Sequence, residues 1–233
     1  MIISLTGFMG CGKSSVGREL SQLLCCRFID LDEAVVEAAG KSIPEIFAED
    51  GEAGFRNLEL KVLGNIISCE SGRVKEISSP SHLTPASTHT SLDCHQISKD
   101  ITSASCHSKT QDRSEANAKG TQHLVLALGG GTVMTPQCAE LVKESTVCIY
   151  LRASVETLLE QLASDTESRP LLCQNISFSM PAEAAEGADF QLRNRIETLL
   201  AERSATYEKT ASIIIDTDGK SISAIANEIP ANF

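Results

Sequence analysis

The chain has 233 residues, of which 42% are hydrophobic and 22% are charged, and its formal net charge is −11 at pH 7. The length suits one domain, or one domain with an insertion, and the negative charge excludes a general nucleic-acid or anionic-membrane binder, because either needs a broad basic face. Nine scattered cysteines, a first strand that begins at residue 2 and the lack of a long apolar run predict a reduced cytoplasmic protein without a targeting or membrane-spanning segment.

A glycine-rich octapeptide follows the first predicted strand. The strand is the apolar run 2–6, and residues 7–14 read G-F-M-G-C-G-K-S, which has the G-x-x-x-x-G-K-S spacing of a phosphate-binding loop. A predicted amphipathic helix comes next, with apolar residues at Val16, Leu20, Leu23 and Leu24. Inward-pointing N–H groups and the helix N-terminus would bind an anion. Lys13 would reach the outer phosphates, and the Ser14 hydroxyl would ligate Mg²⁺.

Two aspartates come at the end of the second predicted strand. Residues 27–30 read R-F-I-D, and the two-residue period of a strand would point Asp30 and Asp32 to the same side. Ligands of open α/β sheets collect at the carboxyl ends of strands, so both carboxylates should face the phosphates. One would steer Mg²⁺, and the other would accept a proton from an attacking hydroxyl. The alternative is that Asp32 only caps the next helix.

The next segment is predicted to be a small helical excursion that holds a second substrate. Gly40 should end the preceding helix, and residues 42–45, S-I-P-E, have the pattern of a capping box with proline in the first turn. A helix from 52 to about 68 would bury a stripe made of Phe55, Leu58, Val62, Leu63 and Ile66. Arg56 precedes Glu59 by three residues, which predicts either a guanidinium held for carboxylate recognition or a surface ion pair.

Residues 69–123 differ from the rest of the chain. They are rich in serine and threonine and contain no aromatic residue. Such a segment cannot bury enough apolar area to offset its ordering entropy, so we expect a flexible insertion within a single domain that spans 1–233. A zinc site is the alternative, although the spacing matches no compact Cys/His motif. That alternative would use the five histidines His82, His89, His95, His107 and His123.

Strands and helices alternate in the remainder of the chain. The predicted strands are 124–128, 146–151 and 212–216, and the predicted helices are 191–209 and one that begins near Ser221. Three glycines at 129–131 would allow a ligand to approach the backbone closely. Arg169 and Arg203 form a cationic set in an acidic chain and suit a triphosphate with an anionic acceptor. Strand–helix alternation with a phosphate loop predicts a parallel three-layer α/β domain.

These motifs together resemble the shikimate kinase family. The resemblance runs from the first strand to the last helix, apart from the insertion, and rests on G-F-M-G-C-G-K-S-S-V-G-R, F-I-D-L-D-E, G-K-S-I-P-E-I-F-A-E-D-G-E-A-G-F-R-N-L-E, G-G-G-T-V, R-P-L-L and R-S-A-T-Y. It implies a P-loop kinase fold, with a five-stranded parallel sheet flanked by helices, a substrate-binding subdomain and a lid. It implies ATP-dependent phosphorylation of the 3-hydroxyl of shikimate by a monomer that uses Mg²⁺ and has only small-molecule partners.

The resemblance also implies a role for each matching residue. ATP would be bound by Gly10, Cys11, Gly12, Lys13, Ser14, Ser15, Arg169 and Lys220. Shikimate would be bound by Asp32, Arg56, Gly130 and Arg203, with Phe47 and Phe55 as walls of its pocket. Asp32, Lys13 and Arg169 would be the catalytic residues. Ser14 and Asp30 would hold the metal.

The chain departs from the family pattern in its lid. The family usually carries a further basic residue shortly before R-P-L-L, whereas residues 162–168 contain none. Two alternatives to a shikimate kinase stay open at this point. A gluconate-kinase-like enzyme of the same fold would have no need to combine Asp-x-Asp, Phe-Arg and the triple glycine. A non-catalytic relative would be favoured by loss of Lys13, Asp32 or Arg169, all of which are present.

Overall fold

Five strands form a parallel sheet in the computed structural model, which describes residues 1–70, 123–162 and 185–230. The strands are β1 Ile2–Thr6, β2 Arg27–Asp30, β3 Leu124–Ala127, β4 Val147–Arg152 and β5 Ile213–Asp216. Their order across the sheet is β2-β3-β1-β4-β5, and every neighbouring pair is parallel. The carboxyl ends of the strands therefore meet at one edge of the sheet and their amino ends at the other.

Seven α-helices accompany the sheet in the described part of the chain. They are α1 Lys13–Leu23, α2 Leu31–Ala39, α3 Ile43–Glu70, α4 Pro136–Ser145, α5 Val155–Leu162, α6 Ala185–Thr210 and α7 Ile222–Glu228. A short 3-10 helix, Thr132–Met134, lies between β3 and α4. No helix within the described ranges has the length and apolarity that crossing a bilayer requires.

A hydrophobic core lies on each face of the sheet. On one face, α1, α5, α6 and α7 contribute buried side chains that include Val16, Leu158, Ile196 and Ile225. On the other, α2, α3, α4 and the end of α6 contribute buried side chains that include Leu31, Leu63, Val142 and Tyr207. The sheet is thus the middle of three layers, which confirms the predicted fold class. Burial on both faces explains why the strands are nearly continuous apolar runs.

The predicted helices and strands are confirmed, with differences at their ends. Gly40 ends α2 with a left-handed φ of 64°, as predicted. Gly51 is not helical, with a φ of 69° and a ψ of −175°, and it divides α3 into a short arm and a long arm. The long arm follows Gly51 directly, which confirms the helix predicted from residue 52. α4 and α5 are not among the predicted elements. Pro136 in the first turn of α4 was a usable signal for that helix, because proline is favoured there.

The buried face of α1 differs from the predicted one. Val16 and Leu20 are buried as expected, but Leu23 is 46% exposed. The helix instead approaches the sheet through Gly17, where an added Cβ would lie 2.4 Å from the ring of Phe28. A glycine carries no hydrophobicity signal, so counting apolar residues cannot find a contact of this kind.

The chain enters and leaves residues 71–122 at the amino edge of the sheet. Arg27, at the start of β2, pairs with Glu70 at the end of α3 across 2.7 Å. The N–H of Leu124, at the start of β3, donates to the carbonyl of Met1. The predicted insertion therefore lies almost wholly outside the described residues, apart from Cys69 and Glu70 at the end of α3, and His123. Both of its attachments are on the edge opposite the carboxyl ends of the strands.

Candidate active site

A cavity of about 460 Å³ lies at the carboxyl edge of the sheet. It is bounded by the loop after β1, the end of β2, the arms of α3 and the turn after β3. Parallel strands concentrate ligand-binding groups at this edge, because each strand ends there in a loop or a helix N-terminus. The predicted site residues that line the cavity are Gly10, Gly12, Lys13, Ser14, Ser15, Asp30, Asp32, Arg56 and Gly130.

The loop between β1 and α1 has the conformation of an anion-binding turn. Gly10 and Gly12 adopt φ values of 84° and 86°, which side chains with a Cβ rarely tolerate. Lys13 is 9% exposed, and its Nζ donates to the carbonyls of Gly7 and Phe8 at 3.0 and 2.9 Å. The lysine is therefore held beneath the loop by the loop's own backbone, with its charge at the cavity.

Cys11 lies under the loop rather than in the cavity lining. Its side chain is 3% exposed and belongs to the hydrophobic core beneath α1. The N–H of Cys11 donates to the carbonyl of Phe8 at 3.3 Å. Cys11 therefore packs as a small buried side chain, while its N–H has a partner within the loop.

Asp30 and Asp32 both reach the cavity, but not through the strand geometry that the sequence suggested. β2 ends at Asp30, and Asp32 is in the first turn of α2. Asp30 is the helix cap, because its Oδ1 accepts from the N–H of Asp32 at 3.0 Å. Its Oδ2 accepts from the Ser14 hydroxyl at 2.5 Å. A helix start at the strand end thus replaces the expected two-residue period, and Asp32 is not the cap.

The surroundings of Asp32 disfavour its charged form. Burial and the neighbouring Asp30 carboxylate raise the pKa of Asp32 to about 6, and Glu59 adds to this rise. The cations of Lys13 and Arg56 oppose it without cancelling it. A carboxylate with a pKa near the working pH is well suited to accept a proton, because it is ionised at neutrality and yet appreciably basic.

The guanidinium of Arg56 is held by a buried carboxylate. Its Nη1 lies 2.8 Å from Oε2 of Glu59, which is fully buried. The other oxygen of Glu59 accepts from the Thr132 hydroxyl at 2.5 Å. Glu52 lies 3.6 Å from Nη2 on the exposed side. The structure therefore favours the held guanidinium over the surface ion pair, because Glu59 reaches Arg56 from within the core.

The three glycines after β3 bring backbone against these charged side chains. A Cβ on Gly129 would lie 2.6 Å from Oδ1 of Asp32, and one on Gly131 would lie 2.4 Å from Nη2 of Arg56. At these distances the Asp32 and Arg56 side chains would have to shift to admit a Cβ, so glycine lets both keep their positions at the cavity. Close approach of a ligand to these glycines stays a prediction, and in the structure the neighbours are side chains of the site itself.

Aromatic rings form an apolar wall of the cavity. Phe47 lies on the short arm of α3 and Phe55 on the long arm, and their ring centroids are 4.8 Å apart. Ile43 lines the cavity beside Phe47. One half of the predicted capping box forms at the start of the short arm, because the Glu45 carboxylate accepts from the N–H of Ser42 at 2.8 Å. The Ser42 hydroxyl donates to the same carboxylate at 2.7 Å. The helical excursion thus closes one side of the cavity.

The end of α6 lies behind the glycine turn. The Tyr207 hydroxyl donates to the carbonyl of Gly130 at 2.5 Å. Arg203 is one turn earlier on the same helix, and its Nη1 is buried without a hydrogen-bond partner among the described residues. Arg203 is not among the cavity-lining residues of the described ranges.

Two further predicted site residues are not placed in the cavity. Lys220 follows β5, and its Nζ pairs with Glu228 at 2.6 Å, away from the residues that line the cavity in the described part of the chain. Arg169 lies outside the described residues, as does the predicted lid around it. No sequence pattern indicated a role for Thr132 or Gln161, which the structure places at or beside the cavity. The threonine directly follows the triple glycine, which was the available signal for it.

Comparisons with known proteins agree with this geometry. A family model described as shikimate kinase matches residues 9–76 and 111–232. The shikimate kinase of Chlorobaculum parvum is 33% identical over 228 residues, which cover 98% of this chain and 89% of that protein. The shikimate kinase of Thermus thermophilus is 30% identical over 227 residues, with 97% and 86% covered.

Solved structures show the same similarity. A shikimate kinase from Acinetobacter baumannii, solved in complex with shikimate, has a TM-score of 0.64 at 26% identity and covers 99% of this chain and 91% of its own. A shikimate kinase from Bacteroides thetaiotaomicron, with a TM-score of 0.65 at 21% identity and 100% and 97% covered, supports the fold alone. The family model spans well over half of the sequence, and the cavity contains the expected loop, carboxylates and arginine. The chain belongs to the shikimate kinase family.

Proposed function

We propose that the cavity at the carboxyl edge is where this shikimate kinase transfers the γ-phosphoryl group of ATP to the 3-hydroxyl of shikimate, giving shikimate 3-phosphate and ADP. One observation carries the proposal. A single cavity contains the phosphate loop with Lys13, the partly buried carboxyl of Asp32 and the held guanidinium of Arg56. These are a phosphate site, a proton acceptor and a carboxylate-binding group within one enclosure.

The phosphate loop would bind the nucleotide. Its backbone N–H groups and the N-terminus of α1 favour anions, and the Lys13 charge would reach the transferring phosphoryl group. Cys11 would take part only through the loop backbone. Arg169 from the lid and Lys220 after β5 are proposed as further nucleotide contacts on the family resemblance, and Arg169 would also act on the transferring group.

Mg²⁺ is the cofactor we propose, and Ser14 and Asp30 would hold it. Their hydroxyl and carboxylate oxygens lie together at the cavity, and oxygen donors of this kind are those that Mg²⁺ prefers. The bound cation would offset negative charge on the phosphates. Asp30 also caps α2, so its carboxylate is already oriented before any ligand binds.

Asp32 is proposed as the general base. The proton of the 3-hydroxyl would move to its carboxylate while the hydroxyl oxygen forms a bond to the γ-phosphorus. The bond from that phosphorus to the oxygen of the leaving ADP would break. The pKa of about 6 leaves Asp32 ionised at pH 7.5 and able to accept this proton.

Arg56, Arg203 and the Gly130 backbone are proposed to bind shikimate. Arg56 keeps a planar donor fork at the cavity, and the buried Nη1 of Arg203 is a donor without a protein partner. A carboxylate on the acceptor would satisfy such donors. Phe47 and Phe55 would contact the apolar faces of the ring. A monomeric state and a cytoplasmic location stay predictions.

An assay of ADP release tests the proposal. Purified protein with ATP and Mg²⁺ is incubated separately with shikimate, with gluconate and with no acceptor. We expect ADP release that depends on shikimate. With gluconate, the rate should equal that of the reaction without an acceptor. Gluconate-dependent turnover would favour the other small-molecule kinase, and ATP binding without any turnover would favour a non-catalytic relative.

A further inference from the structure

Tyr207 has no role in the mechanism above, yet it contacts groups on two sides of the acceptor site. Its ring is fully buried and stacks on the buried ring of Tyr150, with centroids 5.1 Å apart and an interplanar angle of 27°. Tyr150 belongs to β4 and Tyr207 to α6. The stack therefore fixes the end of α6 against the sheet and determines where the Tyr207 hydroxyl points.

That hydroxyl orients one peptide unit of the glycine turn. It donates to the carbonyl of Gly130 across 77 residues of sequence. In a planar trans peptide the C=O and N–H bonds point in opposite directions. A Gly130 carbonyl turned toward Tyr207 therefore turns the N–H of Gly131 the other way. The backbone hydrogen bonds of the described residues include none donated by the N–H of Gly130 or Gly131, so both donors are available to a ligand.

The same hydroxyl lies beside the guanidinium of Arg203. Burial raises the pKa of Tyr207, and the charge of Arg203 and its hydrogen bond to the hydroxyl oppose this rise. The hydroxyl thus stays protonated and donates to Gly130, and its oxygen keeps acceptor capacity toward Arg203 on the same helix. Arg203 lies one helical turn before Tyr207, so the hydroxyl that donates to the glycine turn is also within reach of this arginine, whose Nη1 is buried without a hydrogen-bond partner among the described residues.

We propose that Tyr207 is a positioning residue for recognition of the acceptor. It orients the Gly130–Gly131 peptide and the Arg203 guanidinium together. The backbone N–H groups and the guanidinium are then both held in the orientation that binds the acceptor. The inference rests on the acceptor-binding roles of Arg203 and Gly130 in the proposed function. Loss of the hydroxyl should weaken acceptor binding and spare nucleotide binding, because the phosphate loop has no contact with Tyr207 among the hydrogen bonds described.

The two stacked tyrosines provide a matched pair of variants. Tyr207→Phe and Tyr150→Phe each keep the ring and remove one buried hydroxyl, but only the first removes the bond to Gly130. We expect Tyr207→Phe to raise KM for shikimate by about 5- to 10-fold, the effect of one net hydrogen bond. KM for ATP should stay within about twofold, and Tyr150→Phe should leave both constants within that range.

Binding measurements separate positioning from a loss of stability. Calorimetric titration with shikimate and with ADP, well below the melting temperature of each variant, should show weaker binding of shikimate alone in Tyr207→Phe. Equal losses of the two ligands, or equal effects of the two tyrosine variants, would overturn the inference. If Tyr207→Phe destabilises the fold, the titration still reports on the molecules that are folded at low temperature.

An arginine variant separates this inference from the function on which it rests. Arg203→Lys should raise KM for shikimate, and adding Tyr207→Phe should give less than the product of the two effects, because both changes act on one arrangement. If Arg203→Lys weakens shikimate binding and Tyr207→Phe does not, only the inference fails. If Arg203→Lys leaves shikimate binding unchanged, the acceptor role of Arg203 fails, and the inference fails with it.

Discussion

Asp32 lies where its ionised form is opposed by burial and by a second carboxylate, which together raise its pKa to about 6. The same surroundings place it against the glycine turn, 2.6 Å from where a Cβ on Gly129 would be. Such a carboxyl group keeps an appreciable proton affinity at neutral pH.

Asp32→Asn should lower kcat by about 10²- to 10⁴-fold, which is the usual contribution of a positioned base. Binding of ATP should change little, because the loop that holds phosphate is unaltered. Steady-state kinetics and a nucleotide titration measure the two effects. Glu33→Gln is the matched control, because Glu33 is the next acidic residue but is exposed and pairs with Arg18. Turnover of Asp32→Asn within a few-fold of the unmodified chain would contradict the role of base.

Asp32→Asn should also stabilise the fold, but only at neutral pH, where Asp32 of the wild type is ionised. The pKa of Asp32 is raised from 3.8 to about 6 on folding. Protonated Asp32 therefore stabilises the folded state fully below about pH 3.8, and this contribution is lost as the pH rises through about 6. The two-unit shift corresponds to at most about 3 kcal/mol in the free energy of unfolding. In urea unfolding, the free energy of unfolding of the variant should exceed that of the wild type by more at pH 7.5 than at pH 4. An equal difference at both values would show that Asp32 ionises without penalty.

Arg56 offers a second test at the scale of one residue. Arg56→Lys keeps the charge but loses the planar fork, so KM for shikimate should rise by about 10-fold while KM for ATP stays nearly unchanged. Arg18→Lys is a close control, because both arginines lie over a phenylalanine ring and pair with a glutamate, but Arg18 is exposed and outside the cavity. Parallel changes in the two Michaelis constants would contradict the assignment of Arg56 to the acceptor.

At the scale of elements, α3 serves the site through two arms. The long arm carries Arg56 and Glu59 and packs into the core, whereas the short arm carries Phe47 as part of the cavity wall. Gly51 joins them with a φ of 69° and a ψ of −175°, a conformation that is essentially restricted to glycine. The angle between the arms therefore depends on one backbone position.

Gly51→Ala should destabilise the fold by about 1–3 kcal/mol, the usual cost of such a conformation in a residue with a Cβ. An added Cβ has no atom within 4 Å, so the cost arises from the backbone alone. KM for shikimate should rise if the short arm shifts to relieve the strain. Gly64→Ala is the control in the same helix, because Gly64 is helical and also has open space, and alanine there should stabilise by up to about 1 kcal/mol. Equal melting temperatures for the two variants would refute the argument.

Local motifs and long-range contacts differ in how far the sequence reveals them. The strands, the phosphate loop and the triple glycine are contiguous patterns, and the structure confirms each of them. The burial of Glu59 could not be predicted, because its partner Thr132 is 73 residues away and a glutamate in an apolar stripe is normally expected at the surface. The same holds for the bond from Tyr207 to Gly130. The two-residue strand period was the wrong reason for placing Asp32 at the cavity. β2 ends at Asp30 and α2 begins at Leu31, so Asp32 reaches the cavity from the first turn of a helix.

At the scale of the whole molecule, the cavity and the attachments of residues 71–122 lie at opposite edges of the sheet. The cavity lies at the carboxyl edge, while the chain leaves for residue 71 and returns at residue 123 at the amino edge. Replacing Gly72 to Thr121 with a short Gly/Ser turn should therefore leave both Michaelis constants nearly unchanged. Loop closure should alter stability by only about 0.6 kcal/mol per halving of length.

Kinetics and melting of this deletion variant test the placement, with the full chain in the presence of a chelator as the control for zinc. A variant that melts normally but has lost shikimate turnover would place the segment at the active site. A large loss of stability, or a melting temperature of the full chain that falls with chelator, would favour the zinc-stabilised alternative.

The stacked tyrosines have a spectroscopic consequence for the molecule as a whole. The sequence contains two tyrosines and no tryptophan, so Tyr150 and Tyr207 are the source of its intrinsic ultraviolet fluorescence above that of phenylalanine. Both rings are buried in one stack, and one hydroxyl is bonded to the glycine turn of the acceptor site. Tyrosine emission is sensitive to the hydrogen bonding of its hydroxyl. The unlabelled protein therefore has an intrinsic fluorophore beside the proposed acceptor site. A titration with shikimate should change its tyrosine fluorescence, which can be measured directly.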